Sequence, residues 1–188
     1  MARKILCLVL ATFILNFVGL AHASQKAHEH GAAILDIVLE NKDLLISLDS
    51  PAANLVGFEH KPSTDAQRET INSTIGILRN WESIFQVDSK AQCSLKSVDI
   101  ETALADAHEH EEHEEHEEHE EHEEHGDEAH SDFEVSWSLH CENSSMLNEI
   151  TVLLFEQFEG FNEIKANVVG PRGQTAMVLD RKSNKIGF

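Results

Sequence analysis

The sequence predicts an α+β fold, a mainly antiparallel sheet with two covering helices, and three observations carry that expectation. Six short segments rich in isoleucine, leucine and valine are bounded by turn residues, as strands are. Two longer stretches repeat apolar residues at three- and four-residue steps, as amphipathic helices do. The order β-β-α-β, a biased tract, then β-α-β-β lets neighbouring strands pair directly and stacks helices against the sheet. The near-mirror order of the halves further suggests a two-lobed or pseudo-symmetric arrangement.

Residues 32–39 (AAILDIVL) and 44–48 (LLISL) make the first two strands, joined through Asn41-Lys42-Asp43 as a hairpin. Ser50-Pro51 ends the second, because proline has no N–H with which to extend a ladder. Residues 54–60 (NLVGFEH) read as an irregular turn with Leu55, Val56 and Phe58 facing inward. A helix follows, capped by Ser63 or Thr64, with Gln67 three residues after Thr64 in the capping-box position. Ile71, Ile75, Ile77 and Leu78, with Trp81 and Phe85 beyond, supply its apolar face, and Gly76 weakens its middle. Residues 93–100 form the third strand. Residues 133–141 (FEVSWSLHC) form the fourth, with Phe133, Val135, Trp137 and Leu139 alternating onto one side. Asn143 or Ser144 is then expected to cap a second helix faced by Met146, Leu147, Ile150, Leu153, Leu154 and Phe158. The last two strands, 164–169 and 175–179, turn at 170–173 (GPRG).

The first 23 residues read as an export signal. Arg3 and Lys4 precede an almost wholly apolar run, residues 5–20, shorter than the roughly 20 residues that span a bilayer. Ala21-His22-Ala23 gives the small-x-small pattern, placing cleavage before Ser24 and leaving 24–188 as a single domain with nothing to insert into a membrane. Cys7 leaves with the leader. Cys93 and Cys141 remain, an even pair that predicts one disulfide in an oxidising compartment; the alternative is a pair of thiolate metal ligands. If strands 93–100 and 133–141 are antiparallel neighbours, the cysteines lie opposite each other. Their bond would then tie the base of a hairpin whose tip is the biased tract. Closing about 49 residues this way is worth roughly 4 kcal/mol.

A net charge of −20 makes nucleic acid and anionic membrane surfaces poor partners, since phosphate binding needs concentrated Lys and Arg. Cations suit such a surface. Residues 107–126 read AHEHEEHEEHEEHEEHEEHG, containing His108, His110, His113, His116, His119, His122 and His125, with His130 just beyond. Acidic low-complexity tracts are usually solvated, but that does not account for a histidine at every third position. Neutral imidazole is the commonest zinc ligand, and carboxylate oxygens can complete the shell.

The spacing limits the geometry. A three-residue period drifts about 60° per step around a helix of 3.6 residues per turn, so these histidines cannot all line one face. Glutamates at i and i+4 also repel. The expectation is a disordered loop, 107–131, holding several exchangeable zinc ions, each on two or three histidines plus a glutamate or water. Nickel and copper(II) are the competing metals by the Irving–Williams order. Imidazoles charging below about pH 6 should release the metal, and surrounding glutamates should start that competition somewhat higher.

A scarcer set of histidines suggests a defined site. His28-Glu29-His30 opens the chain after the leader, where residues at i and i+2 of an extended segment share a side. His60 and its neighbour Glu59, both candidate metal ligands, lie outside the repeat, as does His140 beside Cys141. Singly, each is an ordinary strand-end residue; together with His28 and His30 they can converge on one ion. An enzyme fits poorly. His-Glu-Glu-His is one residue short of the zinc-peptidase spacing, and no Gly-x-Ser-x-Gly elbow or phosphate-binding glycine loop occurs.

The leader, the start His28-Glu29-His30-Gly31, the run 50–60 (SPAANLVGFEH), the histidine tract between two cysteines and the closing 169–174 (VGPRGQ) together resemble the ZrgA-like zinc-uptake proteins. That resemblance implies a periplasmic zinc-binding protein of Gram-negative bacteria, working with an ABC-type zinc importer under zinc-regulated expression. A periplasmic buffer that sequesters excess zinc, nickel or copper is the alternative.

Overall fold

The structure, a computed structural model, describes residues 29–105 and 131–188. The expected leader, His28 and the tract histidines from His108 to His130 lie outside the described residues, as does the expectation of disorder there.

The fold is α+β. Strands β1 (Ala32–Glu40), β2 (Asp43–Pro51), β4 (Cys93–Glu101), β5 (Asp132–Cys141), β7 (Glu163–Gly170) and β8 (Gly173–Leu179) form a six-stranded sheet in the order β4-β5-β2-β1-β7-β8. Every neighbouring pair is antiparallel except β1 with β7. A smaller sheet takes β3 (Phe85–Val87), β6 (Glu149–Val152) and β9 (Lys185–Gly187) in the order β3-β6-β9. The helices are α1 (Ala52–Val56), α2 (Asp65–Arg79), α3 (Trp81–Ile84) and α4 (Leu154–Gln157).

Period-two alternation explains the layering. Leu35, Ile37 and Leu39 of β1, Leu44, Ile46 and Leu48 of β2, and Phe133, Val135, Trp137 and Leu139 of β5 are all buried, on one face. Ile71 and Leu78 of α2, the smaller sheet's Phe85, Ile150, Val152 and Ile186, and Phe155 cover that face. Trp137 is the keystone. Its indole Nε1–H donates to the Leu78 carbonyl at 2.8 Å, and its ring meets Phe85 edge-on with centroids 5.1 Å apart. Burying an indole this fully requires such a partner.

Several local expectations hold. Thr64 caps α2 and Gln67 completes the capping box. The 41–42 turn closes β1 on β2, with Asn41 at φ 55°. Cys93 and Cys141 are direct cross-strand partners and form the disulfide.

Others are corrected. The second long helix does not form. Residues 144–157 become a 3₁₀ turn (Ser144–Met146), strand β6 and the short α4, because Ile150 and Val152 alternate between two strand partners rather than following a helical stripe. Met146 is consequently exposed. The first helix stops at Arg79, and Phe85 belongs to β3. The turn at 54–60 begins as α1, with Leu55 and Val56 buried as expected. The halves do not separate into lobes: β5 inserts between β4 and β2, so strands from before and after the tract interleave in one sheet.

Candidate metal-binding sites at the two ends of the sheet

The register fixes which residues share an end. Asp43 pairs with His140 at one end of the β2–β5 ladder, and Pro51 pairs with Asp132 at the other. Eight steps of about 3.3 Å separate these ends by roughly 27 Å. The described chain leaves β4 and resumes at Ser131 on the Pro51 side, where the Ala52 N–H donates to the Ser131 carbonyl at 2.8 Å. Ser131 and, just past β4, Leu104 are buried. The described residues that flank the tract on either side are therefore anchored at that end of the sheet.

His30 stands at the same end, immediately before β1. Gly31 takes φ 89°, a left-handed conformation that favours glycine, and its N–H donates to Asn54 Oδ1 at 2.7 Å. Asn54, buried on α1, also donates through Nδ2 to the Ala32 carbonyl and to Ser50 Oγ. One amide thereby ties α1, the end of β2 and the start of β1. Gly160 makes this possible, since a Cβ there would lie 2.3 Å from the Asn54 carbonyl oxygen. Gly57, in the left-handed region at φ 85°, then ends α1 and sends the chain towards Glu59 and His60.

The result is a pairing distant in sequence. His30 Nε2 donates to Glu59 Oε1 at 2.9 Å; the Glu59 side chain is only 10% exposed and the imidazole 66%. A carboxylate accepts, so Nε2 is the donor, and in the neutral ring Nδ1 is then the nitrogen that carries the lone pair. This is the arrangement in which an outer carboxylate orients a metal-ligating imidazole. His60 behaves alike. Its Nδ1 donates to the Lys61 carbonyl at 2.9 Å, which in the neutral ring puts the lone pair on Nε2, and its ring stacks on Phe58 with centroids 5.1 Å apart.

His140 lies at the other end. Its Nδ1 faces Asp43 Oδ1 at 3.0 Å and its Nε2 lies 3.7 Å from Glu142 Oε1. Lys96 and Lys42 close this surface cluster through Asp43 and Glu142. The hydrogen bond from His140, then Lys96, holds the Asp43 carboxyl below its ordinary range, and Lys42 with His140 does the same for Glu142. The expected convergence of His140 with His30 and His60 is therefore not what the fold makes. They stand on opposite ends of the sheet. Among the described residues no three of His, Cys, Asp and Glu gather into a metal-holding group.

Register also reveals what sequence reading missed. Glu134 lies opposite Asp49 on one side and Glu101 on the other, a row of three carboxylates on the outer face beside the tract's anchoring end. Like charges directly opposite destabilise a sheet, and here they concentrate negative potential at that end. Alternation alone could put each on the outer face; only strand pairing aligns them.

A family model for the ZrgA family zinc uptake protein matches residues 27–188, a span that contains every described residue and the tract between them. No functionally curated protein matches the chain. The chain belongs to the ZrgA family of zinc uptake proteins.

Proposed function

We propose that this chain works outside the cytoplasm, in the periplasm after loss of residues 1–23, as a zinc carrier for uptake. Tract 107–131 captures zinc on His108, His110, His113, His116, His119, His122, His125 and His130, with glutamates completing the shells. The ion then passes to the folded end bearing His30 and His60, where Glu59 orients His30, with His28, two residues before His30 in the sequence, as a further ligand, and onward to components of an ABC-type importer. Membership of a zinc uptake family supports the cargo and the process. Among the described residues no helix is long and apolar enough to cross a membrane.

One observation carries the relay. The two anchors of the tract and the metal-ready imidazoles of His30 and His60 occupy the same end of the sheet, beside the carboxylate row. An ion released from the tract then has nitrogen ligands within reach of its tether, at high effective concentration.

Isothermal titration with zinc of the chain with and without residues 108–130 tests this. Deletion is expected to remove most zinc equivalents and leave at most a single site that depends on His30. Unchanged stoichiometry and affinity would overturn the assignment of the tract as the store.

A further inference from the structure

The two edges of the six-stranded sheet are defended very differently. An exposed edge presents unpaired main-chain donors and acceptors, and proteins usually blunt it with charges, proline or bulges. β4 does so: it carries Lys96, Asp99 and Glu101, and its ladder with β5 is bulged between Leu95 and Ser97. β8 does none of this. Its sequence, GQTAMVL, has no charge and no proline, and its register with β7 is unbroken. In a chain of net charge −20 such a neutral edge stands out.

The hairpin shows which groups are open. Gly170 and Gly173 close a two-residue turn, so their N–H and C=O groups point at each other, and alternation sends those of Thr175 and Met177 towards β7 as well. The main-chain groups of Gln174, Ala176 and Val178 therefore point away from the sheet. Among the described residues no other backbone group bonds them. Their side chains are exposed too, Val178 to 59%.

We propose that β8 is a self-association edge: two copies pair β8 antiparallel about a two-fold axis through Ala176, continuing one sheet across both subunits. A second copy is the occupant that this edge fits, because the pairing is self-complementary. With Ala176 opposite the partner's Ala176, Gln174 meets the partner's Val178, and the outward groups of all three residues are satisfied. The same register sets Arg172 opposite the partner's Asp180, so two ion pairs flank the uncharged strand by symmetry. Asp180 is held ready as an anion: its Oδ1 accepts from the N–H groups of Lys182 and Ser183, which keeps its carboxyl below the ordinary range. The strand is short and both subunits are strongly acidic, so the dimer is a weak one.

Sedimentation velocity on the purified protein from about 10 to about 500 μM tests the edge. The wild type should shift from monomer to dimer across that range. Ala176→Asp and Ala176→Lys each place like charges face to face on the axis, and each should weaken association more than roughly tenfold. Mixing the two variants should restore the dimer, which mere damage to β8 would not allow. A wild type that stays monomeric, a dimer indifferent to both substitutions, or a mixture that fails to reassociate overturns the proposal. Zinc stoichiometry per chain should be the same in all four samples, so this outcome is independent of the carrier reading.

Discussion

One end of the six-stranded sheet is closed by the Cys93–Cys141 disulfide and surrounds His140 with Asp43, Glu142, Lys42 and Lys96. The opposite end is closed by the buried amide of Asn54 and carries His30 and His60, each with one ring nitrogen held by an acceptor. The same strands thus serve two purposes. Where the clamp is covalent, the surface histidine is absorbed into a network of ion pairs. Where the clamp is a single side-chain amide, the backbone is shaped into a glycine turn that sets His30 beside Glu59, at the end of the sheet where Leu104 and Ser131 flank the tract. A histidine is not a ligand by type alone; which nitrogen stays open, and where, decides its use.

The largest effect that would sharpen this comparison is on stability. Replacing Cys93 and Cys141 with serine should cost about 2–4 kcal/mol in denaturant unfolding, since the bond constrains a long loop in the unfolded chain. Zinc stoichiometry should be unchanged, because the tract's anchors lie at the far end. A large loss of zinc equivalents in that variant would break the division of labour between the ends.

Next in size is the metal affinity of the folded end. In a chain lacking residues 108–130, His30→Ala should weaken the remaining zinc site about tenfold in competition with a chelating dye, about 1.4 kcal/mol. His140→Ala should change it less than about twofold. Equal losses from the two substitutions would show that the site is not at the tract's end.

The smallest effect separates the ends by pH. Asp43 and Glu142 titrate below their ordinary values in the folded protein. A depressed carboxylate contributes stability above its unfolded pKa, lost as pH falls through the folded value, so this network persists until below about pH 4. Imidazole-bound zinc should leave higher, near pH 6. Carboxyl chemical shifts should therefore show Asp43 titrating after zinc release, and His140→Ala should move its midpoint upwards. An unmoved midpoint would mean that His140 is not its partner in solution.

Much of the fold was legible because strand periodicity reports directly on one buried face. Phe133, Val135, Trp137 and Leu139 announced their side without any knowledge of neighbours, and Thr64 with Gln67 announced a helix start by purely local bonding. The stretch after Cys141 was not legible. Met146, Leu147, Ile150, Leu154 and Phe158 fit a helical stripe, yet Ile150 and Val152 fit a strand equally well, and the partners that settled the matter lie beyond any local window: Phe85 of β3 is 67 residues from Val152, and Ile186 of β9 is 36 from Ile150.

What residue types alone determined here is chemistry and local bias: a metal-loving tract, a cysteine pair, and an alternation that makes a one-sided sheet. Tertiary structure alone decided position. It aligned Cys93 with Cys141, joined His30 to Glu59 across 29 residues, and sent His140 to the far end. The physical reason is that side-chain chemistry and periodicity are properties of a short segment, whereas proximity is set by strand order and register, which depend on every strand packed into the same core.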